Sequence, residues 1–131
     1  YDGILIKDNH IAVAGSIGKA VSMVRARTSH LMKTEVEVSD MTQVAQALDA
    51  GADVIMLDNM DIETMAKAVK LIDKKALVEA SGNVCLDTLA AIADTGVDII
   101  SCGALTHQAV SVDLSMQICP DENKSVQAEV N

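Results

Sequence analysis

The chain has 131 residues, half of them apolar, and a formal net charge of −9 at pH 7. That is about one domain, with enough apolar side chains to bury a core and too many for a disordered segment. The acidic balance excludes a nucleic-acid binder, which needs clustered Lys and Arg, but not a small anion held by a few local donors.

Ile4-Leu5-Ile6 opens the chain as a short apolar run and gives way to Lys7-Asp8-Asn9-His10. Ser16 then stands at an N-cap position before Ile17, Ala20, Val21 and Val24, the i, i+3, i+4, i+7 spacing of a helix face. Val36 and Val38 mark a second strand with Glu37 at its end. Asp40 caps a second helix, striped by Met41, Val44, Ala45 and Leu48 and closed by Gly51 at C′. Val54-Ile55-Met56-Leu57 is a third strand ending on Asp58-Asn59, and Asp61 caps a helix striped by Ile62, Met65, Ala66 and Val69. Ala76-Leu77-Val78 is a fourth strand, ending on Glu79-Ala80-Ser81-Gly82-Asn83. Leu86, Leu89, Ala90 and Ala93 stripe the next helix, which Gly96 closes. A fifth strand, Val97 to Ile100, ends on Ser101-Cys102-Gly103, and a short helical turn follows from Ala104 to Val110. Short continuous runs of this kind predict strands buried on both faces. Beyond them Val112, Leu114, Met116 and Ile118 alternate with polar residues, as in a half-exposed strand leaving for another sheet.

Strand and helix in strict alternation predict a parallel sheet with right-handed crossovers. A doubly wound sheet and a barrel both satisfy the pattern. The polar residues at the strand ends favour an α/β fold of the open or incomplete parallel β/α barrel type, TIM-like, spanning residues 1–118. Residues 119–131 form a polar C-terminal tail that carries the only proline. The absence of an initial Met, with a strand at the very start, reads as a fragment with residues missing before Tyr1. Cys85, Cys102 and Cys119 are odd in number and lack CxxC spacing, so neither a disulfide framework nor a zinc site is expected, and a reducing cytoplasm fits. There is no signal peptide, and no apolar run nears the ~18 residues of a membrane span, so no membrane role is expected.

The chemistry concentrates at the strand ends. Glu37, Asp58 and Glu79 recur at one even interval, one βα unit per step, which predicts a single rim at the carboxyl ends of the strands. Ser81-Gly82-Asn83 and Cys102-Gly103-Ala104 lie between a strand and a helix, where close backbone approach and free N–H groups suit a phosphate. Glu37 and Asp58 cannot hold an anion. They suit sugar hydroxyls, a Mg²⁺ bridging phosphates, or a developing positive charge. Lys7 supplies the counter-charge to an anionic group. His10 is placed to donate to an anion or a carboxylate, and His107 to face the phosphate; His30 reads as a surface residue on the opposite face. The cysteines read as structural: Cys102 lines a turn with no base beside it.

The motifs Lys7-Asp8-Asn9-His10, Glu35-Val36-Glu37-Val38, Leu57-Asp58-Asn59, Glu79-Ala80-Ser81-Gly82-Asn83 and Gly103-Ala104-Leu105-Thr106-His107 occur in one order. Together, over about residues 3 to 118, they resemble the quinolinate phosphoribosyltransferase family, also called nicotinate-nucleotide pyrophosphorylase (carboxylating). The resemblance implies a pentosyltransferase that moves phosphoribosyl from 5-phosphoribosyl 1-diphosphate to quinolinate with Mg²⁺, giving nicotinate mononucleotide, pyrophosphate and CO₂ for NAD synthesis. It implies that Lys7 contacts an anion, that Glu37 and Asp58 hold the donor's ribose hydroxyls and metal, and that Ser81, Gly82 and Asn83, with Cys102, Gly103 and His107, cradle the 5′-phosphate. It also implies a homodimer or higher homo-oligomer, and a fragment lacking an N-terminal domain, since the family's barrel follows a mixed α/β domain. The family's acceptor-binding arginines have no counterpart here, since Arg25 and Arg27 lie on a helix away from the rim. A molybdenum-transport-associated paralogue with the same barrel and an inactive barrel fragment stand as alternatives.

Overall fold

A computed structural model describes residues 3–106 and 115–118. In chain order the elements are β1 (Gly3–Ile6), α1 (Asp8–Ala14), α2 (Ile17–Arg25), β2 (Lys33–Val38), α3 (Met41–Asp49), β3 (Val54–Asp58), α4 (Ile62–Ile72), β4 (Leu77–Ser81), α5 (Leu86–Asp94) and β5 (Ile99–Ile100), then a 3₁₀ turn at Gly103–Leu105. The strands form one five-stranded sheet in the order β1-β2-β3-β4-β5, each pair parallel. This order decides between the two shapes the sequence allowed. A doubly wound sheet reverses its strand order at a switch point, whereas sequential neighbours joined by right-handed crossovers keep every helix on one face. The fold is therefore an open parallel β/α barrel, with β1 and β5 as its edges.

The register sorts the side chains into two faces. Ile6, Val36, Ile55 and Val78 align across the sheet, and Val38, Leu57 and Ala80 align one step further along. These seven pack in a single core with Ile17, Ala20 and Val21 of α2, Val44 and Ala47 of α3, and Met65, Ala68 and Ile72 of α4. Sealing a side chain such as Ile55 or Leu57 stabilises the fold by about 1.5–3 kcal/mol. The opposite, concave face carries Leu5, Glu35, Val54 and Leu77 in one row and Glu37, Met56, Glu79 and Ile99 in the next. Only β3 is buried along nearly its whole length; Leu5, Leu77 and Ile99 stay more than a third exposed because five strands do not close the barrel over them. The expectation of burial on both faces holds at the centre and fails toward the edges.

The capping signals work as read: Ser16, Asp40 and Asp61 each accept a hydrogen bond from the backbone N–H three residues on. Such caps contribute about 1 kcal/mol each. A second device repeats with the βα unit. In Gly51-Ala52-Asp53-Val54 and Gly96-Val97-Asp98-Ile99 the aspartate turns back to the preceding strand, Asp53 accepting from Thr34 N–H and Asp98 from Val78 N–H, both at 2.8 Å. Each carboxylate thus staples the lower end of one strand to the start of the next.

Two elements differ from expectation. Residues 8–14 form α1, a helix too short to show an apolar stripe and without a single buried side chain. Helix α5 lies where it was predicted, yet Leu86 is 90% exposed and Leu89 40%, while Ile92 provides its one buried side chain. No further βα unit stands beyond β5 among the described residues to cover that stripe. Val112, Leu114 and the tail from residue 119 lie outside the described residues, and Ser115–Ile118 carry no ladder pairing there.

Candidate active site

The carboxyl ends of β1, β2 and β3 bring Lys7, Glu37 and Asp58 together. Lys7 is the N-cap of α1, with extended backbone, and its side chain continues on the concave face. Its Nζ lies 3.0 Å from Glu37 Oε2, with the lysine half-exposed and the glutamate largely shielded. The hydrogen bond and charge of Glu37, then the charges of Asp58 and Asp8, hold the Lys7 ammonium above its ordinary range, so it stays cationic. Half-exposed pairs of this kind contribute about 0–1 kcal/mol to stability, so the pair matters more for aiming the ammonium than for holding the fold. Glu37 and Asp58, with Asp8, Ile11, Ala12, Val38, Ser39 and Gln43, line a cleft of about 320 Å³.

Glu79 shares the concave face with Glu37 but is buried and engaged within the sheet. It sits inside β4, only 9% exposed, and accepts a hydrogen bond from Ser101 Oγ. Register places it in the same row as Glu37, one layer below Asp58, which aligns with Ser81. Its neighbour Glu35 has one carboxyl oxygen buried with no partner. Burial, then the charge of Glu79, push the Glu35 carboxyl up to about 7. The even spacing of the acidic residues therefore marks one concave face, in two layers.

The first glycine turn is built around a residue that sequence reasoning passed over. Asn59 follows Asp58 in left-handed backbone (φ 52°). Its amide donates to Asp58 Oδ1 at 3.2 Å and accepts from Asn83 Nδ2 at 2.9 Å, and its backbone N–H donates to Ser81 O. Gly82 has φ +86°, and a Cβ there would collide with the Asn59 amide. Glycine is thus required twice at position 82, by backbone and by space. Asn59 and Asn83 both occupy the left-handed region, which asparagine tolerates better than most residues. That preference, beside the Asp58 motif, was the available signal. The N–H groups of Gly82 and Asn83 have no protein acceptor among the described residues and lie on a half-exposed turn.

Gly103 opens the 3₁₀ turn, and half-buried Cys102 donates its thiol to Val84 O at 3.2 Å, tying the second glycine turn to the first. His107 lies outside the described residues. His10 has a part the sequence did not suggest: its Nδ1 accepts the Lys7 backbone N–H at 3.0 Å and caps α1, which leaves Nε2 as the nitrogen able to donate. Cys85, read as structural, is exposed at the N-cap of α5, where Thr88 hydrogen bonds lower its thiol below the usual range.

Among the described residues no three His, Cys, Asp or Glu side chains form a metal cluster. Glu37 and Asp58 are nevertheless hard oxygen donors on one cleft, and Mg²⁺ is commonly held by one or two carboxylates plus substrate phosphates. The donor set fits a metal that arrives with a diphosphate. A larger cleft of about 630 Å³ lies at the opposite ends of the strands, among Arg25, Thr28, Ser29, His30, Leu31, Met32, Lys33 and Asp53. It is more basic, but parallel barrels hold ligands at the carboxyl ends of their strands, and Arg25 there is engaged with Gly51 O.

Comparison with known proteins agrees with this geometry. A Bacillus subtilis protein named probable nicotinate-nucleotide pyrophosphorylase (carboxylating) is 46% identical over 118 residues, covering 90% of this chain and 41% of its own length. A Synechocystis protein of the same name is 48% identical over 120 residues, covering 89% and 41%. The solved nicotinate-nucleotide pyrophosphorylase of Francisella tularensis superimposes with a TM-score of 0.79 at 44% identity, covering 89% of this chain and 41% of that one. The chain thus spans about 41% of the length of each. Residues 1–117 match the family described as quinolinate phosphoribosyl transferase, C-terminal domain, and the chain belongs to that family.

Proposed function

We propose that this chain carries the donor half of a pentosyltransferase site. The site transfers phosphoribosyl from 5-phosphoribosyl 1-diphosphate to quinolinate with decarboxylation, giving nicotinate mononucleotide, pyrophosphate and CO₂ for NAD synthesis. The observation that carries the reading is that Glu37 and Asp58 line one cleft with Lys7 paired to Glu37, beside a glycine turn whose N–H groups have no protein acceptor among the described residues.

In this reading Gly82 and Asn83 N–H groups, with Ser81, Cys102, Gly103 and His107, receive the 5′-phosphate. Glu37 and Asp58 accept hydrogen bonds from the ribose hydroxyls. As pyrophosphate departs, positive charge develops at the anomeric carbon, and the same carboxylates stabilise it. Lys7 stabilises the departing diphosphate. Mg²⁺, held by Glu37 and Asp58, adds charge neutralisation of the leaving group when bound. The acceptor's ring nitrogen forms the new bond to carbon. Its adjacent carboxylate then leaves as CO₂, and a proton takes its place.

The acceptor's two carboxylates call for cations that this rim does not supply, since Arg25 belongs to the opposite cleft. We place acceptor binding on protein outside this chain and expect a homodimer or higher homo-oligomer, acting on small molecules in the cytoplasm. No helix among the described residues is long and apolar enough to cross a membrane. The relatives' names favour this enzyme over the molybdenum-associated paralogue. The test is calorimetric titration of the chain with 5-phosphoribosyl 1-diphosphate. Binding should strengthen with Mg²⁺ and weaken on the order of 10-fold or more in Asp58→Ala; Mg²⁺-independent binding that Asp58→Ala leaves intact would overturn the assignment.

A further inference from the structure

Helix α1 carries Lys7 at its N-cap, yet it has seven residues and buries none of its side chains. A helix this short has no independent stability in water, and only Ile11 and Ala14, both partly buried, pack it against the core, at positions away from its Lys7 end. The structure shows what fixes that end. Asp8 Oδ1 accepts Asn9 N–H at 2.7 Å and His10 Nδ1 accepts Lys7 N–H at 3.0 Å, which sets the turn internally. Asn9 then reaches across the molecule. Its Nδ2 donates to Met116 O at 2.9 Å, and its Oδ1 accepts from Ile118 N–H at 2.8 Å.

These two bonds use both ends of one carboxamide on the C=O and N–H that flank Gln117. A peptide group of a neighbouring parallel strand makes the same pair of contacts, so the Asn9 side chain replaces a missing strand beside the open β1 edge. An apolar neighbourhood accompanies the polar bonds. Ile118, 42% exposed, borders a groove of about 430 Å³ together with Ile4, Leu5 and Ile6 of β1, Val13 of α1, and Met23 and Val24 of α2. The segment Ser115–Ile118 is exposed throughout, and it is a strap held by the two Asn9 hydrogen bonds at the rim of this groove.

We propose that Asn9 is a positioning residue of the site: it clamps the Met116–Ile118 strap to the turn that bears Lys7, and so holds the ammonium over Glu37. The inference rests on the phosphoribosyl reading only in treating Lys7 as the anion contact. Of the alternating residues expected to leave the barrel for another sheet, Met116 and Ile118 are bonded through their backbone to Asn9.

The test compares four chains: wild type, Asn9→Leu, a chain ended at residue 114, and the two changes combined. Two quantities are read, Ile118 amide exchange where that residue is present, and affinity for inorganic pyrophosphate with Mg²⁺. Asn9→Leu should speed Ile118 exchange and weaken pyrophosphate, each on the order of 10-fold. Ending the chain at 114 should weaken pyrophosphate to the same degree, and adding Asn9→Leu to the shortened chain should change nothing more. The midpoint of urea unfolding should barely move in Asn9→Leu, because the contacts of Ile11 and Ala14 with the core stay in place. Asn9→Asp, which keeps the acceptor but opposes Met116 C=O, should fall between wild type and Asn9→Leu.

Unchanged Ile118 exchange in Asn9→Leu, or additive losses in the combined chain, would overturn the proposal. Lys7→Met separates it from the functional reading. If Lys7→Met binds pyrophosphate as wild type does, the functional reading fails. If Lys7→Met is weakened and Asn9→Leu is not, the Asn9 assignment fails.

Discussion

Glu35→Gln is a direct probe of the concave face. Glu35 projects between Leu5 and Val54 with one oxygen buried and unpartnered, and Glu79 and Glu37 lie on the same face. Burial and these like charges raise its folded-state carboxyl from the usual 4.5 to about 7. A carboxyl raised on folding stabilises the fold fully below its unfolded value. That contribution is lost as pH climbs through the folded one, here between about 4.5 and 7. Each unit corresponds to about 1.4 kcal/mol, but solvent reaches part of this open face and screens the charges, leaving on the order of 1–2 kcal/mol. Glutamine keeps the shape and removes the charge. Urea unfolding at pH 8 should therefore find Glu35→Gln more stable than wild type by about 1–2 kcal/mol, and at pH 4 nearly equal to it. An equal effect at both pH values would refute the reasoning, as would wild-type stability that does not fall between pH 4.5 and 8.

Other outcomes follow from single contacts. Gly82→Ala forces a side chain into left-handed backbone and into the Asn59 amide, so it should cost about 1–3 kcal/mol in urea unfolding and weaken donor binding as well. Asp98→Ala leaves Val78 N–H without its acceptor and should cost about 1–3 kcal/mol, with donor affinity unchanged, since the staple lies at the far end of the strands. Cys85, exposed and with its thiol lowered, should react with iodoacetamide at pH 7.5 several times faster than half-buried Cys102, as peptide mapping would show.

The scaffold was legible because its signals are local and repeated. Ser16, Asp40 and Asp61 act as the caps they resemble, and Gly51 and Gly96 follow their helices in left-handed backbone, as C′ residues do. Strand order was not legible, because pairing is a property of the whole sheet and both winding schemes share one pattern. Helix α1 escaped because seven residues do not complete a stripe, and α5 misled because its apolar stripe is uncovered. At the site, Lys7, Glu37 and Asp58 announced themselves as charges ending strands. Residues that act through hydrogen bonds to neighbours gave weaker notice. Asn59 and Asn9 look like ordinary loop asparagines until the partners of their amides are seen, and the capping role of His10 Nδ1 on Lys7 N–H shows only in the structure. Glu35 and Glu79 became a pair only through the sheet register.

The central claim is that an anionic phosphoribosyl donor is held at the carboxyl ends of the strands, by Lys7, Glu37, Asp58 and the glycine turns. The competing place is the larger, more basic cleft around Arg25, His30 and Lys33 at the other end. Amide chemical-shift mapping during titration with 5-phosphoribosyl 1-diphosphate and Mg²⁺ separates the two. The account predicts shifts at Lys7, Asp58, Gly82, Asn83 and Gly103, with Thr28 to Lys33 silent. Shifts confined to Thr28–Lys33 would contradict it.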